Sequence, residues 1–263
     1  MKRKFSSNVA VLDFSGTLSP GAAHFGQAEI LQQALQDSGL TGLGLDGPTF
    51  WNKVINPAWQ EGSTTARGYS RLLCEGVLRL ATARGKIPDE EAVSTAASLF
   101  TAYYLDYSTI HPRWFPLLKQ LVQRKITVVA TDHYAEATGH IIRQLKGAGL
   151  HAAPALYARS GHILVANSAD LGAHKESPSF WKALRHTIKE AAPSSLLLVD
   201  DFGYNEQRED NYSRAEMVFA RRTRTVAAIE LSWHIPVSVF PFFLHNPKDY
   251  PALLDKAVEF LTE

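Results

Sequence analysis

Residues 9–21, VAVLDFSGTLSPG, limit what this chain can fold into more than any other stretch. Val9 to Leu12 are four consecutive apolar residues, the pattern of a strand buried on both faces between layers of helix. Asp13 stands where that strand ends, and a glycine turn follows at Gly16. In open α/β sheets ligands gather at the carboxyl ends of the strands, so a carboxylate in this place faces a site and not the core. Taken alone, a strand-end aspartate is equally the ordinary residue of a turn or helix cap. The choice between the two rests on the rest of the chain.

The same rhythm of helix then buried strand recurs downstream. LLKQLVQRK precedes a strand from Ile126 to Ala130 that runs into Thr131-Asp132, and FWKALRHTIKEAAP precedes SLLLVDD at 195–201. A further strand is predicted around MVFA at 217–220, and IPVSVFPFFL at 235–244 reads as a packed extended segment. Helices alternating with buried strands imply right-handed crossovers and a parallel sheet. Between residues 22 and 111 the apolar residues instead recur three and four apart, as in AEILQQALQDSGL, RGYSRLLCEGVLRLATARG and EEAVSTAASLFTAYYLDY. The predicted fold class is therefore α/β: a Rossmann-like parallel sheet core from residues 1–21 and 112–263, interrupted by an all-helical insertion at 22–111.

Composition narrows the ligand. Among 263 residues, 27 are Lys or Arg and 26 Asp or Glu, so no basic field argues for nucleic acid or an anionic membrane surface. The expected partner is a small molecule; nothing indicates an oligomeric state. Cys74 is the single cysteine, which excludes an internal disulfide and a cysteine-built zinc site and fits a reducing, cytoplasmic compartment. MKRK is basic, but the FSSNVAVLDF after it is broken by polar residues, so no cleaved signal peptide is expected. Gly42, Gly44 and Gly47 match a dinucleotide fingerprint by letter only. A helical pattern precedes them and Pro48 follows, where a strand should end and a helix begin, so they are expected to form a loop between helices.

Three further pieces carry chemistry. ITVVATD places the Thr131 hydroxyl at the end of the next core strand. HKESPSFWKAL sets Lys175 ahead of Pro178, Phe180 and Trp181, which open a helix; Lys146 competes, but it lies in a helix tail before Gly147 and Gly149, where lysine is ordinary. LLLVDD ends a buried strand with Asp200 and Asp201, and two adjacent carboxylates there repel unless a cation lies between them.

Asp13-Phe-Ser-Gly-Thr-Leu18, Thr131, Lys175 and Asp200-Asp201, in that order, resemble the four motifs of the haloacid dehalogenase (HAD) superfamily. The resemblance covers residues 1–20 and roughly 112–230. It implies that Asp13 is a nucleophile taking a phosphoryl group, with Thr131 and Lys175 as its catalytic partners and Gly16, Thr17 and Asp132 touching substrate. It implies Mg²⁺ as cofactor, held by Asp13, Asp201 and the backbone carbonyl of Ser15, with Asp200 and Asn205 supporting them. The insertion at 22–111 falls where the family carries a mobile helical cap. A small phosphorylated metabolite is the implied substrate.

Ser15 departs from that pattern. Phosphatases of the family usually carry a second aspartate two residues after the nucleophile, as general acid and then base, and a serine hydroxyl cannot serve so near neutrality. In the superfamily this position is Tyr in 2-haloacid dehalogenases, Thr in P-type ATPases and Ala in phosphonoacetaldehyde hydrolase. His24 and His133 are the neighbouring groups in sequence that could replace the acid. Lys53 lies where phosphonoacetaldehyde hydrolase keeps a Schiff-base lysine. The alternatives are therefore carbon–phosphorus or carbon–halogen hydrolysis at the same aspartate, or a phosphate-binding regulatory protein of slow turnover.

Overall fold

The computed structural model describes residues 8–85, 87–157, 161–188, 192–206 and 213–263. Six parallel strands form one sheet: β1 (Asn8–Asp13), β2 (Ile126–Thr131), β3 (Ala152–Pro154), β4 (Ile163–Asn167), β5 (Ser195–Asp200) and β6 (Val237–Pro241), in the order β3-β4-β2-β1-β5-β6. β1 is central. Leu12 pairs with Val129 of β2 on one side and Val199 of β5 on the other, so Asp13, Ala130 and Asp200 end level with one another.

The alternation along each strand explains the unbroken apolar runs. Ala10, Leu12, Val129 and Val199 face one layer, built by α7 (Trp114–Arg124), α8 (Glu136–Gly147) and α12 (Tyr250–Thr262). Val9, Val11, Val128, Ala130, Leu196 and Leu198 face the other, built by α10 (Pro178–Thr187) and α11 (Ala215–Trp233). Val9 through Leu12 have no exposed surface, and each of the valine and leucine side chains contributes about 1.5–3 kcal/mol by leaving water.

The strand expected at 217–220 is instead the first turns of α11. Four apolar residues do not distinguish strand from helix, and length decides here. Val218, Arg221, Thr225, Ala228 and Ile229 recur at helical spacing and are buried along a 19-residue helix, and of the run itself only Val218 joins that stripe, Met217 and Phe219 being exposed. The 235–244 segment supplies the edge strand β6, and β3 and β4 extend the sheet on the opposite side.

Residues 20–107 fold into helices: α1 (Pro20–His24), α2 (Ala28–Asp37), α3 (Gly47–Phe50), a π-helical turn (Trp51–Ile55), α4 (Asn56–Gly62), α5 (Tyr69–Ala83) and α6 (Glu90–Tyr107). Gly42 and Gly44 lie between α2 and α3, where Asp46 caps α3 by accepting from the Thr49 amide at 2.7 Å. These helices share a hydrophobic cluster of their own around Leu35, Phe50, Leu73 and Phe100, joined by Tyr134 from the sheet domain. Among the described residues no helix is long and apolar enough to cross a membrane.

The helical lobe meets the sheet domain over the carboxyl ends of the strands. The Glu136 carboxylate, in the first turn of α8, accepts from the amides of Tyr69 (2.7 Å) and Ser70 (3.2 Å) at the start of α5. Tyr69 stacks on Tyr134 with centroids 4.0 Å apart, and Ser63 Oγ is 2.7 Å from His174 Nε2. Gly62 permits this approach, since a Cβ there would lie 2.4 Å from the Tyr134 ring.

Candidate active site

The sheet brings Asp13, Thr131, Asp132, Lys175, Asp200 and Asp201 together around a cavity of about 360 Å³ between the strand ends and the helical lobe. Asp13, Asp200 and Asp201 are all buried, and each offers a carboxylate oxygen within 4.8 Å of the others. Lys175 Nζ donates to Asp13 Oδ1 at 2.6 Å and to Asp200 Oδ2 at 2.8 Å.

Each side chain is placed by its own loop. Lys175 lies ahead of α10; its amide donates to Asp132 Oδ1 at 2.9 Å, and its carbonyl accepts from the buried Trp181 indole at 2.6 Å. Asp132 thus holds the lysine loop as well as lining the cavity. After β5 the chain turns sharply through Phe202 (φ 52°) and Gly203 (φ 76°). The Phe202 amide donates to Asp200 Oδ1 at 2.6 Å, and the Gly203 and Asn205 amides donate to the two oxygens of Asp201 at 3.0 and 2.8 Å. Asn205 Nδ2 then donates to the carbonyls of Gly16 and Phe242, both at 2.8 Å, tying the loop after β1 to the loop after β5. Gly16 has φ +75°, and a Cβ there would sit 2.4 Å from Asp201 Oδ2. The glycine is needed for that close approach as well as for its conformation.

The electrostatics describe a cluster short of positive charge. Burial pushes the Asp13 carboxyl well above the carboxylate range; Lys175 opposes this, and the charges of Asp200 and Asp201 add to it. Burial, Asp200 and Glu206 together push Asp201 up to about 8. Burial works against the Lys175 ammonium, but Asp13, Asp200 and Asp132 outweigh it and hold the lysine charged. Three carboxylates facing one ammonium leave a deficit that protons or a cation must fill. A donor set of buried carboxylate oxygens suits a hard divalent ion such as Mg²⁺.

Three hydroxyls in this region are buried without a hydrogen-bond partner among the described residues: those of Thr131 and Tyr134, which line the cavity, and that of Thr17 beside Gly16. Buried polar groups are nearly always satisfied, so the Thr131 hydroxyl is a donor awaiting a ligand oxygen. Gly16 itself does not line the cavity; it shapes the loop.

The residues considered as substitutes for the missing acid fall elsewhere. His24, half-buried in the last turn of α1, is not part of the cavity wall. His133 does line it, but its Nδ1 accepts from the Tyr134 amide at 2.9 Å and its Nε2 pairs with the Tyr104 hydroxyl. Burial, helped by His140, lowers its pKa to about 3, so it is a neutral imidazole whose one N–H, on Nε2, is turned to the Tyr104 hydroxyl, and it has no imidazolium proton to give. Lys53 is exposed on the π-helical turn, outside the cavity, and Lys146 is exposed at the end of α8. The carboxylate that does reach Ser15 is Glu206, whose Oε1 accepts from Ser15 Oγ at 2.8 Å. It sits 191 residues away in sequence, with no motif to mark it. Trp51, Trp59, Tyr69 and Tyr104 of the helical lobe line the cavity as well.

No family model matches the sequence, and no curated protein does. Solved structures do. A 2-haloacid dehalogenase from Pseudomonas syringae pv. Tomato superposes with a TM-score of 0.52 over 95% of this chain and 99% of its own, at 18% identity. The L-2-haloacid dehalogenase of Xanthobacter autotrophicus gives 0.46 over 97% and 86% at 13% identity, and a magnesium-bound HAD hydrolase from Bacillus subtilis gives 0.43 over 75% and 79% at 14%. At 18% identity the first of these speaks for architecture alone, and on it this chain has the fold of the haloacid dehalogenase superfamily.

Proposed function

We propose that this protein is a Mg²⁺-dependent phosphohydrolase that works through an aspartyl-phosphate at Asp13. The observation that carries this reading is the buried Asp13–Asp200–Asp201 cluster with its one lysine. Phosphoryl transfer gathers negative charge on the transferred group beside an anionic nucleophile, which requires positive charge on both sides of the reacting phosphorus. Bound Mg²⁺ would supply such charge, held by the carboxylates of Asp13 and Asp201 and the Ser15 carbonyl, with Asp200 and Asn205 fixing their orientation.

This chain's own groups would do the rest. An Asp13 oxygen attacks phosphorus as the ester bond to the leaving oxygen breaks; water then attacks the acyl-phosphate, releasing inorganic phosphate and restoring the carboxylate. Lys175 favours the ionised form of Asp13 against its burial and meets the phosphoryl charge, while the unpartnered Thr131 hydroxyl donates to a phosphoryl oxygen. Proton transfer falls to Glu206, beside Ser15: its protonated carboxyl would give the proton to the leaving oxygen and, as the carboxylate, take one back from the attacking water. The helical lobe, residues about 22–111, acts as the cap that excludes water and selects substrate.

Carbon–halogen hydrolysis by the same aspartate is the second reading, favoured by the fold likeness to a 2-haloacid dehalogenase. Against it stands the surplus of buried carboxylates beside the nucleophile, which disfavours an anionic haloacid. The deciding experiment is a panel of phosphate monoesters and 2-haloacids, each assayed with Mg²⁺, with EDTA, and with Asp13→Asn. Phosphate release that needs both Mg²⁺ and Asp13 supports the proposal. Halide release that survives EDTA overturns it.

A further inference from the structure

The cavity is divided by chemistry. Its floor, at the strand ends, is carboxylate, lysine and threonine; its wall on the lobe side is apolar and mostly aromatic. Trp51, Ile55 and Trp59 follow one another at four-residue intervals through the π-helical turn and α4, so one face of this segment looks into the cavity. Trp51 and Trp59 are only half-buried, whereas Phe50 and Phe100 are sealed in the lobe core. Their rings therefore border open space and are not filling it.

The wall is rigid. Trp59 stacks on His174 (6.1 Å, 17°) and meets Tyr134 edge-on (5.4 Å, 87°), and Tyr134 stacks on Tyr69 at 4.0 Å. Tyr104 spends its hydroxyl on His133. Apart from Asn56, the wall between Ala22 and Tyr69 offers a ligand no amide, and no basic side chain stands in it. Among the described residues the basic groups at the cavity are Lys175 and Arg221; Lys175 is engaged with Asp13 and Asp200, and Arg221 Nε donates to the Phe202 carbonyl at 2.8 Å.

We infer that the organic part of the substrate is a neutral, ring-bearing alcohol with no second anionic group. The inference rests on the phosphohydrolase reading for its reactive end and on the cavity wall for the rest. A second phosphate or carboxylate on the ring would be buried against aromatic faces, and among the described residues no basic side chain stands in the wall between Ala22 and Tyr69 to meet it. A ring, by contrast, gains stacking and edge contacts along with its burial. The volume, near 360 Å³, lies at the small end of ligand cavities and suits one substituted ring.

Two measurements test this together. Benzyl phosphate, glycerol 1-phosphate, 3-phosphoglycerate and phosphocholine all release primary alcohols, so their relative kcat/KM with Mg²⁺ reports recognition rather than leaving-group activation. The expected order puts benzyl phosphate ahead of the rest by about 10²-fold, with Trp59→Ala cutting its kcat/KM tenfold or more. In parallel, calorimetry with Mg²⁺ compares benzylphosphonate, methylphosphonate and phosphonoacetate, which bind without turning over. Benzylphosphonate should bind at least tenfold tighter than methylphosphonate, and phosphonoacetate no tighter than methylphosphonate. Preferred turnover of the glycerol, glycerate or choline ester would overturn the inference and leave the phosphohydrolase standing. Absence of all turnover would overturn the phosphohydrolase, and the phosphonate affinities would still decide the cavity: equal binding of benzyl and methyl forms, or tighter phosphonoacetate, contradicts an apolar ring site.

Discussion

Ser15 Oγ donates to Glu206 Oε1 at 2.8 Å, so a carboxylate from the loop after β5 stands against the residue two positions past Asp13. The proton-transfer group absent from the first loop is thereby offered from another strand end. Glu206→Gln should lower turnover of alkyl phosphates by about 10²–10⁴, the usual contribution of general acid–base catalysis. Aryl phosphates with acidic leaving groups should suffer less in the first step and show a burst. Ser15→Ala, which keeps the glutamate, should cost less than Glu206→Gln. Equal rates for wild type and Glu206→Gln across the series would place proton transfer elsewhere.

Lys175 is the cation that lets Asp13 and Asp200 lie buried side by side. Removing one partner of a buried pair typically costs about 3–5 kcal/mol, because the remaining charge is left uncompensated. Lys175→Met should lose stability on that scale in metal-free buffer at pH 8, measured by urea unfolding. A loss under about 1 kcal/mol would mean that the carboxylates do not depend on the lysine.

Gly16 combines a φ of +75° with a contact that a methyl group cannot make. Gly16→Ala should destabilise the fold by more than about 1 kcal/mol and push Asp201 out of place. Mg²⁺ affinity by calorimetry should fall by about 10-fold or more, as when an orienting partner of a metal ligand is lost. Unchanged affinity in the variant would show that Asp201 is not a ligand.

His133 supplies a pH dependence of defined sign. Its folded pKa is about 3 against an ordinary 6.5, so between those values the unfolded chain binds the proton and the folded protein does not. Stability is therefore complete above the unfolded pKa and falls as pH drops through this window, by about 2 kcal/mol at pH 5. His133→Gln should flatten the wild-type slope between pH 5 and 6.5 in chemical denaturation. An identical slope in both proteins would mean that the imidazole is protonated in the fold.

How much of this was legible in the sequence differs by residue. Asp13, Thr131, Lys175, Asp200 and Asp201 each stand at the end of a buried apolar run or the mouth of a helix, and such local signals survive without coordinates. The short β3, Ala152–Pro154, has too few residues to show a period, and the apolar start of α11 resembles a strand until its 19-residue stripe is seen. Glu206 and the Trp51–Trp59 face are set by tertiary approach alone. The glutamate is joined to Ser15 across 191 residues, and the tryptophans look like core until the cavity beside them is visible.

The most direct test of the central claim is acid-quench mapping of the phosphoenzyme. Wild-type protein mixed with Mg²⁺ and benzyl phosphate, quenched within milliseconds and digested at low pH, should yield one phosphorylated peptide carrying the label on Asp13. EDTA or Asp13→Asn should abolish it. Phosphate release with no labelled peptide at any quench time, or label on a residue other than Asp13, would contradict the account.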